Sequence, residues 1–98
     1  MATLQDIQGL VDKAQTRIAH QEQEYVATVL WPEIKSMLGQ CDDLEWSYRG
    51  DMSKLIYKRL NEQSLHGMPA RIDLKQLRRD LQTGKVQAPT EPHKWLPW

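Results

Sequence analysis

The sequence predicts an all-α domain of three to five helices, led by a long N-terminal helix and followed by a C-terminal tail bearing proline and tryptophan. Three observations carry this. Leu4, Ile7, Val11, Ala14 and Ile18 recur at alternating steps of three and four, which aligns them along one stripe of a helix. Helical start and stop signals recur along the chain: Thr3 with Asp6, Asp73 with Gln76, and Gly39, Gly67 and Gly84 as terminators. Only Leu44, Trp46 and Tyr48 alternate with the period of a strand, and a lone strand has nothing to pair with.

The first helix starts at Thr3, whose hydroxyl can accept from a free amide while Asp6 reaches back in a capping box. His20, Gln21, Glu22, Gln23 and Glu24 are polar but hold no turn signal, so the helix is expected to continue through them to Leu30. A rod of roughly 28 residues would measure about 42 Å. That exceeds a small domain, so part of the seam formed by Leu4, Ile7, Val11, Ala14 and Ile18 is expected to meet a second copy. Pro32 removes an amide and disfavours the helical conformation at Trp31, which predicts a kink or break and a new helix with Ile34, Met37 and Leu38 inward, ended by Gly39.

Residues 43–49 read as irregular or briefly helical, with Leu44 and Trp46 packed onto the helices. Gly50 and Asp51 open the next helix, with Met52, Leu55, Ile56 and Leu60 on its apolar face. Gly67 and Pro69 end it. Asp73 caps a short helix over Leu74–Gln82 whose stripe is Leu74, Leu77 and Leu81 and whose other surface carries Lys75, Arg78 and Arg79. Beyond Gly84, the stretch KVQAPTEPHKWLPW holds three prolines and has no helical period. The chain therefore divides into a helical domain, 1–84, and an extended tail, 85–98.

Ninety-eight residues suit one domain with a modest core. Cys41 is the sole cysteine, which excludes an internal disulfide and favours a reducing compartment. With no basic-then-apolar leader and no apolar run of spanning length, a cytoplasmic protein without a membrane partner is expected. Net charge is zero, yet residues 1–50 hold eight acids and four bases while residues 51–98 hold five and nine. A −4 half facing a +4 half suits antiparallel self-association, intramolecular docking, or an anionic partner for the second half.

No catalytic, cofactor or metal site is expected. Cys41, His20, His66 and His93 have neither zinc-finger nor HExxH spacing, and His20 with Glu24 supplies only two ligands, which reads as an exposed helical pair. Cys41 stands beside Asp42 and Asp43, whose charges raise a thiol pKa, so an inert cysteine is expected. The acids Asp42, Asp43 and Glu45 lack the spacing and glycine of a calcium loop. Phosphate-cradling glycine loops and nucleophile elbows are absent. Arg49-Gly50-Asp51 spells an adhesion tripeptide, but its glycine and aspartate already have a role in starting a helix.

Two binding surfaces stand out. Lys75, Arg78 and Arg79 can meet acidic side chains or DNA phosphates, the bland reading being a solvated helix face. Trp95 and Trp98 place large apolar area on a proline-stiffened end, either to dock on a partner or to fold back on the domain. The expected function is a small non-enzymatic module, a regulator, adaptor or inhibitor, that binds another protein and has the capacity to form a homodimer. The alternative is a dimeric DNA-binding regulator using the helix at 74–82 in helix-turn-helix fashion, although the connection before it is longer than that motif's turn.

Overall fold

The computed structural model describes residues 2–67 and 70–89. Four helices form the described part, and no strand occurs among those residues. We label them α1 (Leu4–Ala19), α2 (residues 23–39), α3 (Trp46–His66) and α4 (Leu74–Thr83). The tail residues Trp95 and Trp98, and Pro69, lie outside the described residues.

α1 packs against each of the other three helices. Its seam Leu4, Ile7, Val11, Ala14 and Ile18 is buried in the chain's own core, none of the five exposing more than 4% of its surface. The expectation that this stripe meets a second copy is therefore corrected: the helices of the same chain already cover it.

The long rod is also corrected. α1 stops at Ala19, and the whole molecule measures 32 Å along its longest axis. Gln21 takes a left-handed conformation at φ 63°, its amide donates to the Ile18 carbonyl at 2.9 Å, and the Glu22 amide reaches the Arg17 carbonyl at 2.8 Å. These two bonds make the reversal that normally recruits glycine. Here a glutamine fills the place, so the sequence carried no sign of it. Arg17 braces the turn by pairing with Glu22 at 3.0 Å and lying over the Tyr25 ring at 4.6 Å.

Helix α2 runs through Pro32 without breaking. The segments Gln23–Tyr25 and Trp31–Gly39 are joined by a π-helical turn, Val26–Leu30, in which the Trp31 amide bonds the Val26 carbonyl five residues back. The wider turn next to Pro32 accommodates a residue that has no amide of its own and whose ring would crowd a regular preceding turn. The expected break and restart are thus replaced by one continuous helix with a π-bulge beside the proline. Arg49 closes its far end, donating to the carbonyls of Gly39 at 2.7 Å and Cys41 at 2.6 Å.

Helix α3 begins at Trp46, earlier than the Gly50-Asp51 start read from sequence, and ends at Gly67, whose φ of 85° suits glycine. Leu44 is buried as expected. Trp46 is not: it is 81% exposed. As the first residue of α3 it points away from the face that carries Met52, Leu55 and Ile56 inward. α4 follows its expected outline, capped by the Asp73 side chain on the Gln76 amide at 3.2 Å and stopped by left-handed Gly84. Gln76 does not complete a capping box, because its side chain donates to Asp80 at 2.8 Å. Past Gly84, Val86 still packs against the core, so the folded unit extends beyond residue 84.

The connection between α3 and α4 is held by polar side chains of α1. Gln8 donates to the Ile72 carbonyl at 2.7 Å and accepts from the Leu74 amide at 2.8 Å. Gln15, buried, accepts from the Ile72 amide at 2.9 Å and donates to the Ala70 carbonyl at 3.2 Å and to Gln63 at 3.3 Å. Gln63 returns a bond to the Gln15 carbonyl at 2.8 Å. Asp12, between the two glutamines, receives two bonds of 2.9 Å from the Arg71 guanidinium. Asn61 shows the contrasting case, a fully buried amide in α3 whose two polar atoms have no partner among the described residues.

Two substitutions test this account in opposite directions. Gln15→Ala strands buried amide and carbonyl groups at about 1–3 kcal/mol each, so the melting temperature should fall by about 10 °C. Gln21→Gly relieves a left-handed conformation costing about 1 kcal/mol, so melting should rise by about 5 °C. Thermal denaturation followed by circular dichroism reads both.

Candidate functional site

The expected basic surface lies on α4, but its three members do different things. Lys75 and Arg79 are exposed and form no ion pair among the described residues. Arg78 is half-buried, and its guanidinium donates to the Asp43 carbonyl at 2.7 Å. Four residues on, Gln82 donates to the Glu45 carboxylate at 2.9 Å. At 3.6 residues per turn, Arg78, Gln82, Lys75 and Arg79 fall within about 100° of arc, one flank of the helix. Asp80, bonded to Gln76, lies on the other flank. The basic flank therefore adjoins the acidic loop 42–45, and Trp46, the next residue in sequence, opens α3 with its indole exposed.

The loop has a structural duty of its own. The Asp42 amide bonds the Ala2 carbonyl at 2.9 Å, and Ala2 and Cys41 form an isolated parallel bridge. The Asp43 carboxylate accepts from the Leu4 amide at 2.8 Å, capping α1 from a distance, and from the Cys41 thiol at 3.1 Å. Burial works against the Asp43 charge, yet the bonds from Cys41 and Leu4 and the nearby Arg78 together hold its carboxyl below the usual value. Burial pushes the Cys41 thiol up to about 11, with the Asp43 contact adding to the rise. A buried thiol held neutral in this way is a poor nucleophile at neutral pH.

The remaining candidates resolve as follows. His20 caps α1 while Glu24 lies in α2 beyond the left-handed turn, so they do not share one helix as expected. Arg49, Gly50 and Asp51 sit inside α3 with the arginine committed to the end of α2, which leaves no adhesion loop. Among the described residues no group of three or more histidine, cysteine or acidic side chains is arranged to hold a metal. No described helix is long and apolar enough to cross a membrane. An open depression of about 260 Å³, bordered by Leu4, Gln5, Gln8, Arg71, Asp73 and Lys75, lies beside the start of α4.

Sequence reasoning missed three residues. Trp46 seemed a core residue because it alternates with Leu44 and Tyr48, and only the early start of α3 turns it outward. Gln15 was legible in principle: it stands four residues after Val11, inside the apolar stripe, where a polar side chain needs a buried partner. Arg49 gave no signal, since its targets are backbone carbonyls.

Fold and surface together define a small helical domain with a basic helix flank against an acidic loop and an exposed indole at the start of α3. No family model, curated protein or solved structure matches the chain.

The charge states of Asp43 in the loop and of Asp12, paired with Arg71, are open to titration. Hydrogen bonds from Arg71 hold Asp12 below its usual value, against a smaller opposing effect of burial. A carboxyl depressed in the fold stabilises it above the unfolded value near 3.8, and that stability is lost as pH falls through the lower folded value. Melting temperature should hold steady above about pH 5 and drop below about pH 4. An Asp12→Asn, Asp43→Asn double variant should show a shallower acid limb; an equally steep one would place the acid sensitivity elsewhere.

Proposed function

We propose that the chain is a non-enzymatic protein-interaction module, a regulator, adaptor or inhibitor, that docks through the face joining the basic flank of α4 to Trp46. The single observation carrying this reading is the indole of Trp46, 81% exposed at the first residue of a regular helix, directly after the loop that the α4 flank contacts. Tryptophan supplies more binding energy per residue than almost any other side chain once covered, and a rim of charges suits an interface edge. Lys75, Arg78 and Arg79 belong to the same face, with Arg78 fixing it to the loop rather than reaching outward. The tail tryptophans, Trp95 and Trp98, remain candidates for a second contact. The lone, buried cysteine fits a cytoplasmic location.

The DNA-binding alternative draws on the exposed Lys75 and Arg79. Against it stand Arg78 and Gln76, both engaged within the chain, and an acidic cap, Asp73, at the helix end that would approach phosphates. Capture on the tagged full chain from native-host lysate, compared with a Trp46→Ser variant of unchanged melting temperature, tests the reading. Protein captured by the wild type and lost from the variant is the expected result. Equal capture by both would overturn the docking face, and retardation of duplex DNA at physiological salt, abolished by Lys75→Ala with Arg79→Ala, would favour the alternative.

A further inference from the structure

Helix α4 is held to the fold in a different way from the other three. Its ten residues bury only Leu74, Leu77 and Leu81, and a helix of that length does not persist in water without support. The body made by α1, α2 and α3 is closed by apolar packing: Ile7, Val11, Leu30, Ile34, Ile56 and Leu60 each expose 1% of their surface or less. What ties α4 to α1 and to the 43–45 loop, beyond its leucines, is polar and lies near water. Half-buried Gln8 bonds Ile72 and Leu74, Arg71 pairs with Asp12 while 58% exposed, and Arg78 and Gln82 reach the loop through exposed bonds. The depression of about 260 Å³ bordered by Leu4, Gln8, Arg71 and Lys75 opens alongside the Gln8 and Arg71 contacts. Bonds of this kind are exchanged for bonds to water with little net loss. Gln15 is buried, and its bonds to Ala70 and Ile72 must open too, but Gln63 remains its partner when they do.

We propose that α4 and the link before it, residues 70–83, form a strap that leaves the three-helix body as one unit while α1, α2 and α3 stay folded. Link and helix move together because neither is stable alone: the link takes its backbone partners from α1, and α4 needs the body to cover its leucines. Opening uncovers the apolar surface of α1 and α3 against which Leu74, Leu77 and Leu81 pack, and it parts Arg78 and Gln82 from the loop at Asp43 and Glu45. The strap thus controls both an internal apolar surface and the meeting of the basic flank with the acidic loop. It requires no partner and stands whether or not the docking reading holds.

Native-state hydrogen exchange on the full chain, read by NMR under conditions where exchange reports equilibrium opening, tests the strap. The hydrogen-bonded amides of α4 should share one opening constant, larger than that at the centres of α1, α2 and α3. Their exchange should also depend more weakly on added denaturant, since local release exposes less surface than global unfolding. Two variants separate the two events. Gln8→Ala removes bonds that break in either one, so exchange should quicken about tenfold in α4 and in the body alike. Ile34→Val weakens only the packing of the body, which stays intact while the strap is open. Exchange in the body should then quicken about fivefold while that of α4 does not change. Equal protection and denaturant dependence across the four helices, or α4 amides that quicken with those of the body in Ile34→Val, would overturn the strap. So would α4 amides indifferent to Gln8→Ala.

Discussion

The hydrogen bonds from Gln8 and Gln15 to the backbone of residues 70–74 are the constraint on which the arrangement depends. Helices α1, α2 and α3 can bury their stripes against one another by apolar packing alone. α4 is different: its ten residues carry only three buried leucines, and its position is set by the segment that leads into it. That segment has no regular structure to satisfy its own amides and carbonyls. Two glutamines seven residues apart on α1 supply the missing partners at Ala70, Ile72 and Leu74. Because buried backbone groups are costly to leave unpaired, the link has one resting place, and α4 with its basic flank is delivered against the acidic loop.

The charge asymmetry of the two halves finds a use inside the molecule. Asp12 from the acidic half receives Arg71 from the basic half, and the 43–45 loop receives Arg78 and Gln82. Each contact near the surface is weak by itself. Together they align the halves in one register, while Lys75 and Arg79 on the same flank of α4 form no ion pair among the described residues.

Much of the fold could be read from the sequence because its signals are local. The stripe from Leu4 to Ile18, the Thr3 and Asp73 caps, and the glycine stops at 67 and 84 all involve residues within one or two turns of each other. What escaped had either the wrong residue or a distant partner. Gln21 performs a glycine's task, so the end of α1 was hidden and one rod was inferred where there are two helices. Pro32 is absorbed by a π turn whose need for an extra residue leaves no sequence mark. Asp43 caps a helix 39 residues away, and Gln8 bonds a carbonyl 64 residues away. The basic members of the candidate surface were visible on α4, but the exposed Trp46 was not, because its outward direction follows from where α3 begins.

Those long separations also shape how the chain is made. Synthesis releases α1 first, while the backbone groups that its glutamines hold come at residues 70–74, near the far end of the domain. Until then the stripe of α1 can be covered by α2 and α3 and Gln15 can pair with Gln63, but the bonds that Gln8 and Gln15 make to the link have no partner other than water. Closing so large a loop carries an entropic cost that must be met before the rewarding contacts form, which makes docking of the link and α4 a late step of folding. A chain that ends before residue 70 would keep α1, α2 and α3 while lacking the groups that Gln8 and Gln15 hold at residues 70–74, and its acidic loop would be without its basic neighbour.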